Sequence, residues 1–304
     1  MTEISRISRS STDQIQSCRA LKGARFFEGE KMHQILCSTG ALIGRPNGRD
    51  YRLLKQFCPQ LECDGFEFIL YSTWYDEIDA LTAFLKGLKL NIPVMHCEKT
   101  LAEHITRGGE EELREAFRLF EINCGVANAI GSDRMVLHLW NGVISDSCFE
   151  NNLRAWPELR DRAEKHGLTL LTENVVCRQD PMSHWEELYR HYPEIKFVFD
   201  TKMADFHAQL DQLYDPRYAW LWQEGHILHY HVNDYGGTYM DWDNLKVLQL
   251  GKGHIDFSRF FRFVRETGYT GDFTFEGTGF DQTGQVNLTN LNDQFALARE
   301  YLKD

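Results

Sequence analysis

The chain has 304 residues, of which 42% are hydrophobic and 13% aromatic, and its formal net charge is −12. This composition can build a large core, and no stretch approaches the roughly 18 consecutive apolar residues that a membrane span needs. The negative charge repels phosphate backbones and no run of Lys or Arg offsets it, so neither nucleic acid nor a membrane is an expected partner.

The start of the chain is predicted to be a short N-terminal extension, residues 1–30, because it lacks the apolar centre of a secretory signal. Eight cysteines stand at positions 18, 37, 58, 63, 97, 124, 148 and 177, without any Cys-x-x-Cys pair. This pattern favours reduced thiols that pack in the core of a cytoplasmic protein over a disulfide framework or a zinc ribbon.

Eight short runs rich in β-branched and aromatic residues recur along the chain, and we predict a strand for each. In chain order they are residues 33–39, 65–71, 92–98, 134–140, 168–174, 195–201, 227–233 and 272–277. Segments between them space apolar residues three and four apart, which predicts helices over residues 76–88, 110–130, 151–167 and 258–268.

Strands that alternate with helices are typical of α/β proteins whose strands lie parallel. Eight such units in a chain of this length predict a single (β/α)₈ TIM barrel over residues 31–304. A doubly wound open sheet is the alternative, because counting strands does not distinguish the two architectures.

In a barrel of this kind, the side chains at the carboxyl ends of the strands meet at one mouth. Four successive predicted strands end in a potential metal ligand: Glu173, Asp200, His231 and Glu276. Carboxylates gathered this closely repel one another, so a divalent cation is the simplest reason to bring them together. His229 precedes His231 by two residues on the same face, and we expect it to pack or to orient groups inside the barrel.

The second half of the chain resembles the xylose isomerase-like barrel superfamily of sugar isomerases, sugar epimerases and inosose dehydratases, with endonuclease IV-type enzymes as distant members. The resemblance rests on LLTEN at the fifth strand, FDT at the sixth, HVND at the seventh, LGKGHID in the following loop and FEG at the eighth. It implies that Glu173, Asp200, His231 and Glu276 bind one divalent ion, which in this family is Mn²⁺, Mg²⁺, Co²⁺ or Zn²⁺.

The resemblance also implies a chemistry. In epimerases of this family, the residues matching Glu173 and Glu276 face opposite sides of the substrate and move a proton, while the ion stabilises an ene-diolate. We therefore expect a metal-dependent isomerase or epimerase of a sugar or related polyol ketone. An inosose-type dehydratase is the main alternative, because it starts with the same proton removal. A barrel that only binds sugar or metal is disfavoured, since it needs neither glutamate as a proton carrier.

An endonuclease IV-like hydrolase is less well matched. That branch has a histidine where this chain has Met203, and an Asp-x-His pair where this chain has Leu245 and Val247. A three-metal phosphodiesterase site is therefore incomplete. His96 and His138 do stand where that branch has ligands; we expect them to contact substrate, while a second metal near them and a buried structural role remain alternatives.

Other side chains near the predicted strand ends are candidates for substrate contact: Trp140, Asn174, Lys202, His207 and Asp234, with Glu67 and Lys99 as further polar groups. Asp256 is predicted to cap the helix that follows the loop at 250–256. The two glycines of this loop leave open whether the substrate carries a phosphate. The sequence also leaves open whether the protein forms a homo-oligomer.

Overall fold

The computed structural model describes residues 33–178 and 180–303, and within them eight parallel strands close into a barrel. Each strand pairs with the next along the chain, and the eighth pairs with the first. The strands are β1 (Ile35–Ser38), β2 (Gly65–Ile69), β3 (Val94–His96), β4 (Arg134–Leu137), β5 (Thr169–Glu173), β6 (Lys196–Asp200), β7 (Ile227–Val232) and β8 (Asp272–Phe275). The closed order confirms the predicted (β/α)₈ barrel and rules out the open sheet.

Helices of the described residues surround this barrel. They are α1 (Leu54–Phe57), α2 (Ile78–Leu88), α3 (Leu101–Arg107), α4 (Glu110–Ile130), α5 (Phe149–Lys165), α6 (Pro181–His191), α7 (Thr201–Phe206), α8 (Trp220–Gln223), α9 (Phe257–Glu266) and α10 (Leu288–Lys303). The predicted helices correspond to α2, α4, α5 and α9, with small shifts at their ends. The remaining helices were not predicted.

Helix α9 shows how the outer layer is built. Its buried side chains, Phe257, Phe260, Phe261 and Val264, recur at spacings of three and four and therefore form one apolar stripe against the barrel. The carboxylate of Asp256 accepts an N–H of the first turn at 3.0 Å, which confirms the predicted N-cap.

The lower interior of the barrel is apolar. A separate cluster of fully buried side chains fills it, contributed by five strands: Leu36, Val94, Val136, Leu171 and Val198. Because side chains on a strand alternate between the two faces, the residues two positions further along point into the same interior, nearer the mouth. Five of the eight strands thus place an apolar side chain below the mouth.

Strand β7 carries a register irregularity against β6, located just before the residues that reach the mouth. Beyond it, Val198 pairs with His229 and Asp200 pairs with His231. An extra residue in one strand re-aims the side chains that follow it. Because of this irregularity, both histidines pair with β6 residues that point into the barrel interior.

Two predictions from composition concern the rest of the chain. Cys37, Cys58, Cys97 and Cys124 are buried thiols within the core, as expected of packing residues. The predicted extension, residues 1–30, lies outside the described residues. None of the helices in the described part of the chain combines the length and apolarity that crossing a bilayer requires.

Candidate active site at the barrel mouth

The four predicted metal ligands converge at the mouth. Glu173 and Asp200 end β5 and β6, His231 lies near the end of β7, and Glu276 follows β8 directly. Each offers one ligand atom, and these atoms all lie within 4.8 Å of one another. Glu173, Asp200 and His231 are essentially inaccessible to solvent, whereas Glu276 is partly exposed. The structure thus assembles, from four strands, the donor set that the sequence predicted.

His231 contacts carboxylates through both ring nitrogens. Its Nδ1 lies 2.8 Å from Glu173 Oε1 and 3.7 Å from Glu276 Oε2, and its Nε2 lies 3.1 Å from Glu67 Oε2. Burial acts to lower the pKa of His231, but the surrounding carboxylates outweigh burial and raise this pKa well above its usual value. A cation is therefore favoured at this position, as the imidazolium itself or as a metal ion facing Nδ1.

The other ligands show the same competition between burial and charge. Burial alone would raise the pKa of Glu173, but His231 and His138 hold it well below its usual value. The pKa of Asp200 is raised to about 6 by burial, with Glu173 and Glu276 adding to the increase against the opposing charge of Lys202. These carboxylates are held close enough to interact strongly, as a shared cation would require.

Glu67 on β2 lies beneath the ligands and is fully buried. Its Oε2 accepts a hydrogen bond from Thr274 Oγ1 at 2.8 Å, in addition to contacting His231, and it lies 3.3 Å from His229 Nε2. Metal-bound histidines usually donate their second N–H to such a carboxylate, which fixes the tautomer. From the sequence, Glu67 was considered able to contact sugar hydroxyls. Its complete burial and its contact with His231 indicate instead that it supports this histidine.

Asn233 was not assigned a role from the sequence, yet it links two of the ligands. Its side-chain amide donates to Asp200 Oδ2 and to Glu276 Oε2, both at 2.8 Å. Its side-chain oxygen in turn accepts the backbone N–H of Glu276 at 3.2 Å. Asn233 follows His231 by two residues, and this spacing was the available signal that it faces the interior.

His96 ends β3 and His138 directly follows β4. Both lie close to Glu173 of β5, on the side of β5 opposite to β6. His138 Nε2 lies 2.7 Å and His96 Nε2 3.5 Å from Glu173 Oε2, and the three residues form another group with metal-ligand spacing. Burial first, and the charge of Lys99 next, lower the pKa of His138 to about 3, so its ring is neutral. A neutral imidazole can accept a hydrogen bond from substrate or bind a metal ion.

Two further predicted site residues hold the backbone of the mouth. Asn174 donates to the carbonyl of Asp200 at 3.0 Å and accepts its N–H at 2.7 Å, so it ties β5 to β6. Asp234 accepts backbone N–H groups of Tyr235, Gly253 and Ile255 at 2.8 to 3.1 Å. In both cases the polar atoms make hydrogen bonds within the protein, and contact of these residues with sugar hydroxyls stays a prediction.

Trp140 and His207 also lie away from the mouth cavity. Strand β4 ends before the predicted tip, and Trp140 is fully buried with its indole N–H donated to the carbonyl of Val175 at 2.8 Å. His207 Nε2 accepts the backbone N–H of Cys177 at 3.2 Å. Both rings thus make hydrogen bonds within the protein, and substrate contact by either residue stays a prediction.

A cavity of about 430 Å³ opens beside the four predicted ligands, and of these Glu276 lines it. Lys202 and Lys99, both named from the sequence, line this cavity together with Arg49 and Tyr71, which were not. Pockets of a few hundred cubic ångströms suit small molecules. The site therefore combines a ligand set for one cation with room for a compound of monosaccharide size.

The chain was compared with known proteins. The family model described as a xylose isomerase-like TIM barrel matches residues 56–304. A search among proteins of curated function finds no match.

Solved structures show the same fold at low identity. One is a protein from Anabaena variabilis described provisionally as a sugar phosphate isomerase/epimerase, with 14% identity, a TM-score of 0.67 and coverage of 90% of this chain and 99% of that one. L-ribulose 3-epimerase is 14% identical, with a TM-score of 0.64, and the match covers 90% of this chain and 95% of that one. D-allulose 3-epimerase from Methylomonas sp., solved in complex with D-allulose, is 15% identical. Its TM-score is 0.62, and the match covers 90% of this chain and 96% of that one. At these identities the likeness establishes the fold.

Proposed function

The chain belongs to the xylose isomerase-like TIM barrel family, and from this premise we propose that it is a divalent-metal-dependent isomerase or epimerase of a sugar or related polyol ketone. The observation that carries the proposal is the convergence of Glu173, Asp200, His231 and Glu276 within 4.8 Å beside a small-molecule cavity. Similar folds include epimerases of L-ribulose and D-allulose, which supports the same class of substrate here.

The residues present fit a divalent ion. Oxygen and imidazole ligands suit Mn²⁺, Mg²⁺, Co²⁺ and Zn²⁺, and Glu67 on the far side of His231 leaves Nδ1 directed at the carboxylates. When bound, such an ion would polarise a substrate carbonyl and stabilise the negative charge that develops when a neighbouring C–H loses its proton.

Glu173 and Glu276 are the proposed proton carriers. Nearby positive charge, chiefly that of His231, keeps the pKa of each below its usual value despite burial, so both are ionised and able to accept a proton. Glu276 lines the cavity directly, whereas Glu173 lies deeper against His231 and His138. Asp200 and His231 are proposed to hold the ion without carrying a proton to carbon.

A second metal ion is a further possibility that one observation favours. His96, His138 and Glu173 form their own group with ligand spacing, in which His138 Nε2 lies 2.7 Å and His96 Nε2 3.5 Å from Glu173 Oε2. Imidazole and carboxylate groups at this spacing suit either a divalent ion or substrate. The number of ions bound per chain distinguishes these alternatives.

Deuterium exchange tests the proposed reaction. The metal-loaded protein is incubated in D₂O with a panel of ketoses, aldoses and inososes, and the products are followed by NMR. Deuterium at one carbon together with a new sugar supports an isomerase or epimerase, whereas loss of water identifies a dehydratase. Absence of exchange across the panel, with metal bound, contradicts the proposal. Glu276→Gln serves as the matched protein control.

A further inference from the structure

Three cationic side chains line the cavity beside the metal-ligand group: Arg49, Lys99 and Lys202. They come from three different segments of the chain, the loops after β1 and β3 and the first turn of α7. Glu98 and Glu276 line the same cavity, so its three cations outnumber its two carboxylates although the net charge of the protein is −12.

Lys202 is the most informative of the three. It is only 5% exposed, and within residues 33–178 and 180–303 it has neither an ion-pair nor a hydrogen-bond partner. A lysine that lines a cavity and has no carboxylate or carbonyl partner can bind an anionic group there. The open cavity is where its partner can bind.

Lys99 and Arg49 contribute two further positive charges to the lining of the cavity. Neither has a carboxylate within ion-pairing distance in the described part of the chain. The guanidinium of Arg49 lies 4.5 Å from the centre of the Tyr71 ring, and its backbone adopts a left-handed φ of 53°. Its carbonyl accepts the indole N–H of Trp74 at 2.8 Å. The structure thus holds Arg49 in an unfavourable backbone conformation beside the cavity, as functional residues often are.

We propose that the substrate of this site carries an anionic group, a carboxylate or a phosphate, and that Lys202, Lys99 and Arg49 bind it. The inference rests on the proposed function, because it assigns the substrate class of the same site. A neutral sugar needs only hydrogen-bond donors and acceptors, whereas three cations that have no carboxylate partner among the described residues match a negatively charged ligand. A planar guanidinium suits two oxygens of either anion equally well.

A different reading is that the lysines only offset the charge of the metal ligands. Lys202 does act on Asp200, and Lys99 on Glu276, at longer range. A bound divalent ion would itself supply that compensation and would also repel both lysines. In the metal-loaded protein the positive charges of Lys202, Lys99 and Arg49 would therefore be less compensated by the carboxylates. This favours an anionic substrate further.

The glycine loop after β7 does not provide the anion site. The N–H of Gly253 is donated to Asp234 Oδ2 at 2.8 Å, and a Cβ at this glycine would lie 2.1 Å from the carbonyl oxygen of Tyr235. The glycine is therefore required by close packing. Any anion is expected at the lysines rather than at this loop.

Binding of simple anions tests the inference without requiring turnover. Inorganic phosphate and acetate are titrated calorimetrically into the metal-free and the Mn²⁺-loaded protein, with glycerol as the neutral comparison. We expect one anion per chain, with Lys202→Met and Lys99→Met each weakening binding by about ten-fold or more. Lys252→Met, an exposed lysine outside the cavity, should change nothing. Failure of both anions to bind, or equal binding by Lys202→Met and Lys252→Met, overturns the inference.

Matched ketoses identify the source of the charge. D-fructose, its 6-phosphate and the corresponding 6-carboxylate are compared as ligands and as substrates for deuterium exchange. Tighter binding of the phosphate ester or of the carboxylate identifies that group, and the preference should decline with ionic strength. Exchange with neutral sugars and no preference for either anion contradicts this inference while leaving the proposed function intact. Anion binding without any deuterium exchange supports this inference and contradicts the proposed function.

Discussion

Glu67 Oε2 and His231 Nε2 lie 3.1 Å apart in the interior of the barrel, on the opposite side of the imidazole ring from Glu173. The contact joins β2 to β7 across the barrel and determines which nitrogen of His231 faces the mouth. A buried carboxylate in this position makes the ring a better metal ligand, because it stabilises the tautomer with an N–H at Nε2.

Glu67→Gln should therefore weaken metal binding without removing a ligand. Loss of such a supporting carboxylate typically costs about 10–100-fold in metal affinity. Titration of Mn²⁺ against a competing chelator measures the change. Glu300→Gln, an exposed glutamate on α10, is the matched control and should bind Mn²⁺ like the wild type. Equal affinity in the two variants would show that Glu67 does not orient His231.

Metal affinity should rise with pH. The pKa of His231 is raised well above its usual value in the metal-free protein, so at neutral pH a proton occupies the ring and competes with the ion. As pH increases toward this raised pKa, the competition diminishes. Calorimetry in buffers of different ionisation enthalpy should record about one proton released per ion bound. Release that is unchanged in His231→Asn would place the proton on another group.

His138 should make the metal-free protein sensitive to acid. Its folded-state pKa of about 3 lies below the unfolded value of 6.5, so between these pH values the unfolded chain binds a proton that the native ring does not. This contribution to the free energy of unfolding is fully present above pH 6.5 and declines as pH falls, by at most about 1.4 kcal/mol per pH unit.

Urea unfolding at pH 5 and pH 7 measures this decline. His138→Asn should flatten it, whereas His191→Asn, at an exposed histidine of α6, should not. Asp200 acts in the opposite direction, since its raised pKa of about 6 makes its contribution decrease as pH rises through that range. The comparison between variants isolates the histidine, and equal slopes would contradict its assignment as a buried neutral ring.

The sequence was sufficient to predict that the four proposed ligands converge, because each stands at or near the end of a predicted strand. In a parallel barrel, strand ends converge whatever the details of packing, so position along the chain translates into position in space. The predicted end of the fourth strand at Trp140 was wrong, because β4 ends at Leu137 and the side chain of Trp140 is fully buried. An error of a few residues in a strand end is enough to move a side chain out of the site.

Glu67 and Asn233 illustrate what the sequence could not reveal. Glu67 is 164 residues from His231, and their contact depends on barrel closure and on which face of β2 points inward. The register irregularity in β7, which sets the level of His229 and His231, has no evident sequence signal. A carboxylate in the middle of the otherwise apolar GFEFI is the one clue that β2 contributes a buried functional group.

Metal content should depend on the ligand residues. Purified protein is expected to hold about one divalent ion per chain, or two if His96 and His138 bind a second. Elemental analysis of the wild type beside His231→Ala and Asp200→Ala should show a clear loss in both variants, because each removes a donor of the central group. Equal metal in all three proteins would remove the basis of the proposed function.

The last prediction separates proton transfer from metal binding. Glu173→Gln and Glu276→Gln keep the side-chain shape and one ligand oxygen but cannot carry a proton, so metal content should largely persist. Each should lose turnover by roughly 10²–10⁴-fold, the usual contribution of a general acid or base. Asp200→Ala, which removes the side-chain donor, is the comparison, since its loss of activity should follow its loss of metal. An active Glu173→Gln enzyme with normal metal content would place the base elsewhere, and Lys202, which lines the cavity, would be the first residue to substitute.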